Sequence, residues 1–214
     1  MKFCFNTTGS NQPVIREFDI DKDLCVNEGQ VVCISNSKVT DAIKGQVALG
    51  VCAETHSGNS DLLNVRANGT KVRVVVGADS VYEAKMPKLC ATSKGTSTSF
   101  ICSADGLGSN VKGYLMLTGK SSDSQNTDEI GKVRRIVSCT VSGSTATFTL
   151  EAGGIIYTGD EYVLIPDLAC TMVLDNTKTG VVFANANTDI TFKVIGNDTN
   201  RLTTFVTMQN TLFA

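Results

Sequence analysis

The amino-acid sequence predicts an all-β protein built as two small antiparallel barrel or sandwich units. Three observations carry that expectation. Val, Ile and Thr together number 60, against 45 for Leu, Ala, Glu, Gln and Met combined. Branching at Cβ crowds a helix and suits a pleated surface. Thr with Ser and Asn gives 57 small polar residues, the material of turns and wet strand faces. Finally, no window of eleven residues carries a helical apolar stripe.

The elements follow in chain order. Residues 13–20 (PVIREFDI) alternate imperfectly, with Val14, Phe18 and Ile20 on one parity. Glu28-Gly29 opens the run QVVCIS, a polar turn NSK follows, and Ala48-Leu49-Gly50-Val51-Cys52 is a second short apolar run. ETHSGNSD reads as a loop. Asn68-Gly69 is a tight-hairpin signal, because both central positions of such a turn need positive φ. From Thr70 to Val76 the chain alternates, Val72, Val74 and Val76 on one face, Lys71 and Arg73 on the other with Val75 as the exception. Short strands at this spacing suggest a small barrel or sandwich.

Met86-Pro87 marks the expected boundary, giving an N-terminal unit over 1–86 and a C-terminal β unit over 87–214. TSTSFICS and KGYLMLTG read as strands, and the stretch from Gly119 to Gly131 as a polar loop. The strongest hairpin pairs KVRRIVSCTV with TATFTLEA through Ser142-Gly143. In its second arm Ala146, Phe148 and Leu150 share one face and Thr145, Thr147 and Thr149 the other, the pattern of a strand with one side buried and one wet. GDEYVLIP is a strand stopped by Pro166, and three more are expected near 169–174, 189–195 and 202–208.

Charge and cysteine usage narrow the function classes. With 19 Lys+Arg against 21 Asp+Glu, the net charge of −2 argues against bulk nucleic-acid binding, which runs on clustered positive charge. No apolar run approaches the roughly 18 residues of a membrane-spanning helix, so no membrane partner is expected. The eight cysteines show no close pair of the kind used in zinc or redox motifs. The start MKFCFNTTGSNQPV lacks a signal-peptide core, so most are expected as small buried thiols in a reducing cytosol.

No constellation carries chemistry, so no catalytic, metal or cofactor site is expected. The sole histidine, His56, would have to serve any protease of the paired β-barrel kind. Its nearest serine frame, Gly58-Asn59-Ser60-Asp61, and nearest cysteine frame, Gly50-Val51-Cys52-Ala53, each lie four residues away, whereas a nucleophile sits on its own preformed oxyanion loop. His56 is therefore expected as an exposed loop residue. Gly119-Lys120-Ser121 matches the end of a phosphate-binding loop, but five residues separate Gly113 from Gly119 where the motif has four. The run Asp19, Asp21, Asp23 lacks the glycine and glutamate of a calcium loop. Lys132, Arg134 and Arg135 read as an ion-pairing strand edge.

Two segments carry a resemblance. VNEGQVVCISNSKVTDAIKGQVALGVCAETHSG followed by VRANGTKVRVVVG, over roughly residues 24–77, resembles the head-decoration (capsid auxiliary or cement) proteins of tailed bacteriophages, of the small β-barrel kind. Gly50-Val51-Cys52-Ala53 stands where their third element would be. The later GKVRRIVSCTVSGSTATFTLEAG and TGDEYVLIP also resemble segments of phage virion proteins, and the chain departs from the single compact barrel by its second β unit. The resemblance implies a non-enzymatic structural protein, made in the host cytoplasm, that decorates and reinforces the capsid surface of the virion as a homotrimer bound to the major capsid protein. A tail, head-fibre or receptor-binding β module is the alternative, and a β-barrel protease a lesser one. A shell protein contacting the genome would favour a basic arm, but residues 1–23 hold three basic side chains against four acidic ones. Under this reading the capsid contact is sought in the N-terminal segment, at Phe3, Phe5, Val14 and Phe18.

Overall fold

Alternating and short apolar segments become strands throughout. The structure, a computed structural model, describes residues 1–9, 12–57, 70–77, 79–184, 188–209 and 211–212, and among these it has seventeen strands and no helix. The first seven are β1 (Lys2–Asn6), β2 (Ile15–Asp19), β3 (Val31–Ser35), β4 (Lys38–Asp41), β5 (Ala48–Cys52), β6 (Lys71–Val75) and β7 (Ser80–Lys85). Then come β8 (Lys88–Cys90), β9 (Ser99–Ser103), β10 (Gly113–Gly119), β11 (Val133–Ser142), β12 (Thr145–Leu150) and β13 (Glu161–Pro166). The last four are β14 (Thr171–Leu174), β15 (Val181–Val182), β16 (Thr191–Asp198) and β17 (Thr203–Met208). The protein is all-β, as its β-branched composition predicts.

The strands form three antiparallel sheets, ordered β1-β7-β17-β16-β14-β15, β8-β13-β10-β11-β12-β9 and β2-β6-β5-β3-β4. None closes into a barrel by strand pairing among the described residues. Each instead rolls until its two edges are tied together. In the first sheet the Met1 ammonium, at the β1 edge, donates to the Thr179 carbonyl beside β15 at 2.6 Å. In the second, Ala91 just beyond β8 bridges Cys102 of β9. In the third, Ile20 after β2 bridges Val39 of β4. Strand twist makes sheets of five or six strands curl this way, and an edge tied back on itself presents fewer unpaired groups.

Two units divided at Met86-Pro87 were expected, and three sheets are found. Met86 and Pro87 stand where the chain leaves β7 for β8, but the sheet that β7 belongs to draws strands from both sides of that point. β7 pairs β1 on one side and β17 on the other. Short-range alternation carries no information about such a pairing between chain segments more than a hundred residues apart.

One hydrophobic cluster runs through all three sheets, including Val51 and Val75 of the third, Tyr82 and Phe192 of the first, and Phe100, Phe148 and Tyr162 of the second. Ring centroids lie 4.9 Å apart for Phe100 and Tyr162 and 5.7 Å for Phe100 and Phe148, spacings worth about 1 kcal/mol per pair beyond burial. A second cluster fills the third sheet with Ile20, Val32, Leu49, Cys52, Val72, Val74 and Val76. Val75 thereby finds its explanation. It breaks the alternation because its face of β6 packs on the main core while Val72, Val74 and Val76 face the inner one. Burial on both faces is also why β3 and β5 read as continuous apolar runs.

The turns show where residue chemistry set the register. Asn36 and Ser37 both have positive φ, 50° and 62°, joining β3 to β4 as a two-residue hairpin. The β11–β12 turn is Gly143-Ser144, one residue later than expected, because Ser142 pairs with Thr145 and Gly143 takes the positive φ. The Asn68-Gly69 signal lies outside the described residues.

Candidate interaction surface

The outward face of β9, β12, β11 and β10 is the most distinctive surface. Along β12, Thr145, Thr147 and Thr149 are exposed and alternate with buried Ala146, Phe148 and Leu150. Thr149 lies between Ser99 and Ser138 and Thr145 between Ser103 and Ser142, so hydroxylated residues form rows across the strands, with Ile101 beside Thr147 as the exception. Apolar side chains rise from this wet ground along β11 and β10: Val133, Val137 and Tyr114 are all exposed. Val137 stands out furthest, at 65% exposure, for a local reason. The β11–β12 register shifts between Ile136 and Ser138, making Val137 the extra residue of a bulge. Toward β13 the face is covered instead, with Val163 and Ile165 buried beneath Met86 and Leu202.

Beneath and beside this face the polar groups are tied down. Arg134 points inward from β11 and is fully buried, with donors on the carbonyls of Ser97, Glu151 and Gly154 and its guanidinium 3.6 Å from the Asp128 carboxylate. Its neighbour Arg135 points outward, forks onto both Asp167 oxygens at 2.9 and 3.0 Å, and covers the Tyr114 ring at 4.7 Å. Of the triplet expected as an ion-pairing strand edge, Lys132 precedes β11 and the two arginines sit on that interior strand, one on each face.

The polar loop between β10 and β11 is pinned by Asp160 and Asn126. Asp160 accepts from the Ser121 and Tyr157 amides and from Asn126, which also donates to the Tyr162 hydroxyl. Burial raises the Asp160 carboxyl, but these hydrogen bonds, with one from Ser124, outweigh it and hold the group below its usual range. Lys120 donates to the Asn126 carbonyl at 2.8 Å. The lysine and amide of the apparent phosphate motif are therefore spent on closing their own loop.

The four residues sought at the N-terminus do not form one surface. Residues 2–6 are not a free tail; they are β1, paired antiparallel to β7 with a register shift between Phe3 and Phe5. Phe3 packs into the main core edge-on to Tyr82 at 6.5 Å, while Phe5 is exposed on the other face against Phe205 at 6.3 Å. Val14 is exposed just before β2, an edge strand of the third sheet, whose Phe18 packs on that sheet's inner cluster.

His56 is a correction. It is buried, 2% exposed, with Nδ1 at 2.7 Å from the Leu24 carbonyl and its backbone paired with Val26. A backbone bridge carries the imidazole inside, which loop polarity alone did not signal. The serine frame at 58–61 lies outside the described residues. Asp21 accepts from the Asp23 amide and lies 3.9 Å from Lys38, and among the described residues no group of three His, Cys, Asp or Glu is arranged to hold a metal. Of the cysteines, Cys25 and Cys90 are exposed and Cys33, Cys52, Cys102 and Cys139 buried, and none of these six is in a disulfide. Comparison with protein-family models, curated proteins and solved structures finds no match for the chain.

Proposed function

We propose that this protein is a structural component of a tailed-phage virion that decorates the outside of the capsid and acts by buried area rather than by chemistry. The observation that supports this reading best is the open β9-β12-β11-β10 face, where Val133, Val137 and Tyr114 stand out from rows of threonine and serine on a base held by Arg134. Isolated apolar anchors on a polar ground are what a docking surface needs: the anchors bury, and the hydroxyls satisfy backbone and water at the rim. A subunit that touches two shell protomers stabilises only the assembled shell, in proportion to its occupancy. Trimerisation multiplies modest contacts through effective concentration.

The test uses preformed shells lacking this protein. The intact chain should co-sediment with them, and Val137→Glu, which alters only an exposed bulge side chain, should abolish that while leaving the unfolding midpoint unchanged. Deleting residues 2–12 is not a clean probe, because it removes β1 from its sheet. Absence of shell binding by the intact chain overturns the reading. Binding to purified tails instead transfers it to a tail or fibre module.

A further inference from the structure

The first sheet is tied edge to edge at Met1 and Thr179, and beyond that contact the edges part around a cavity of about 680 Å³. β1 and β7 supply one wall, from Met1 and Lys2 to Glu83–Pro87, while Asp175 and Thr179–Val182 supply the other. β7 outruns β1 here. The last β1 pairing is Lys2 with Glu83, whereas β7 continues to Lys85, so Ala84 and Lys85 have a partner strand on the β17 side alone. A sheet edge left open inside a cavity is the feature that captures an added strand.

The side chains say what kind of strand. Met86, Pro87, Val181 and Val182 give apolar walls. Both carboxylates present are already committed. Glu83 holds Arg201 at 2.9 Å, and Asp175 accepts from the Thr177 hydroxyl and the Thr179 amide. Lys2 and Lys85 line the same cavity and are exposed, with no ion pair to any described residue. Directly opposite Lys85 across the β7–β17 ladder is Thr203, 8% exposed, whose hydroxyl has no hydrogen-bond partner. A buried hydroxyl left unpaired costs roughly 1–3 kcal/mol, which an incoming acceptor relieves.

We propose that this cleft binds an extended acidic peptide segment, which adds as a strand along β7 at Ala84–Met86 and places a carboxylate between Lys85 and the Thr203 hydroxyl. Backbone pairing provides the affinity, and the two uncommitted lysines select against basic segments. Strand capture here does not require a capsid, and it stands on residues separate from the β9-β12-β11-β10 face.

The probe is a fluorescein-labelled pentapeptide of alternating Val and Glu, titrated into the full-length protein by anisotropy, with amide hydrogen exchange read by NMR. Saturable binding is expected, with new protection of the Lys85 and Val181 amides, while that of Met86, which already donates to the Leu202 carbonyl, stays as it was. Lys85→Glu should weaken the Val/Glu peptide by about tenfold and favour a Val/Lys peptide, and Thr203→Val should weaken the former several-fold. Both variants must keep the wild-type melting curve. No saturation up to millimolar peptide overturns the proposal, as does affinity unchanged in both variants. Decanoate displacing the peptide with no amide protection by either overturns strand addition in favour of a small-carboxylate pocket.

Discussion

Arg134 grips the carbonyl of Glu151 with two of its nitrogens, Nε at 3.1 Å and Nη2 at 2.9 Å. Its other donors go to Gly154 and Ser97, and a Cβ on Gly153 would land 2.8 Å from its Nε, so Gly153 leaves the room that the guanidinium fills, while Gly154 leaves room for the Asn126–Asp128 loop. A planar fork with five donors suits this cluster of carbonyls, and an ammonium does not. Arg134→Met should therefore destabilise the fold by about 3–5 kcal/mol, since Asp128 and three carbonyls lose their buried partner. Arg134→Lys should recover only part of that. Urea unfolding at constant m-value checks both, and a loss within about 0.5 kcal/mol, as expected for exposed Thr147→Ala, would show that the cluster is dispensable.

Asp160 makes stability depend on acid. Its folded carboxyl lies below the usual 3.8, so the fold favours the ionised form. That contribution is fully present above the unfolded value and is lost as pH falls from 3.8 through the folded one. Asp160→Asn removes the charge and turns one of the two acceptor oxygens into a donor, so either the Ser121 or the Tyr157 amide loses its partner. The melting temperatures of wild type and variant should be furthest apart near neutral pH and converge below pH 3.8. A gap that stays constant through that range would separate the hydrogen bonds from the charge.

The second sheet was the most legible part of the fold, and the reason is the wet face of β12. Thr145, Thr147 and Thr149 against Ala146, Phe148 and Leu150 is a period of two that only a half-buried strand satisfies. β14, β16 and β17 were foreseen for similar reasons. β1 was not, since Lys2–Asn6 is too short to show a period and owes its conformation to β7. Nor was the exposure of Val137, which depends on a bulge. Parity in KVRRIVSCTV does not reveal which residue the partner strand skips. That Asp160, Asn126 and Arg134 are buried is not legible, because a polar side chain looks the same in sequence whether water or a carbonyl satisfies it.

Thiol reactivity should follow burial. Burial pushes the Cys52 and Cys102 thiols up to about 12 and those of Cys33 and Cys170 up to about 11, with Cys4 raised by burial and by Glu83. Only a thiolate attacks a disulfide reagent. At pH 8 the native protein should show one fast phase from exposed Cys25 and Cys90, absent in the double serine variant. Denatured protein, freshly made without reductant, should titrate near eight thiols per chain. A native fast phase that survives the double variant would mean that one of the buried thiols is reached by solvent.

Gly50 is where backbone meets backbone. It lies in β5 with an ordinary φ, yet a Cβ there would strike the carbonyl oxygen of Val75 and come within 2.9 Å of Val74 Cγ1. The obstacle is main chain on β6, which cannot rotate aside as a side chain would. Gly50→Ala should therefore separate β5 from β6 and open the third sheet, whereas Gly45→Ala, with nothing within 4 Å and φ of +82°, costs only the left-handed strain of about 1–2 kcal/mol. Cys33 and Cys52 report the difference, because both sit in that sheet. In Gly50→Ala they should join the fast thiol phase at pH 8 while Cys102 and Cys139 of the second sheet stay protected; in Gly45→Ala they should not. If Gly50→Ala leaves Cys52 as slow as wild type, β6 yields to a methyl group and the close approach is not what fixes the third sheet.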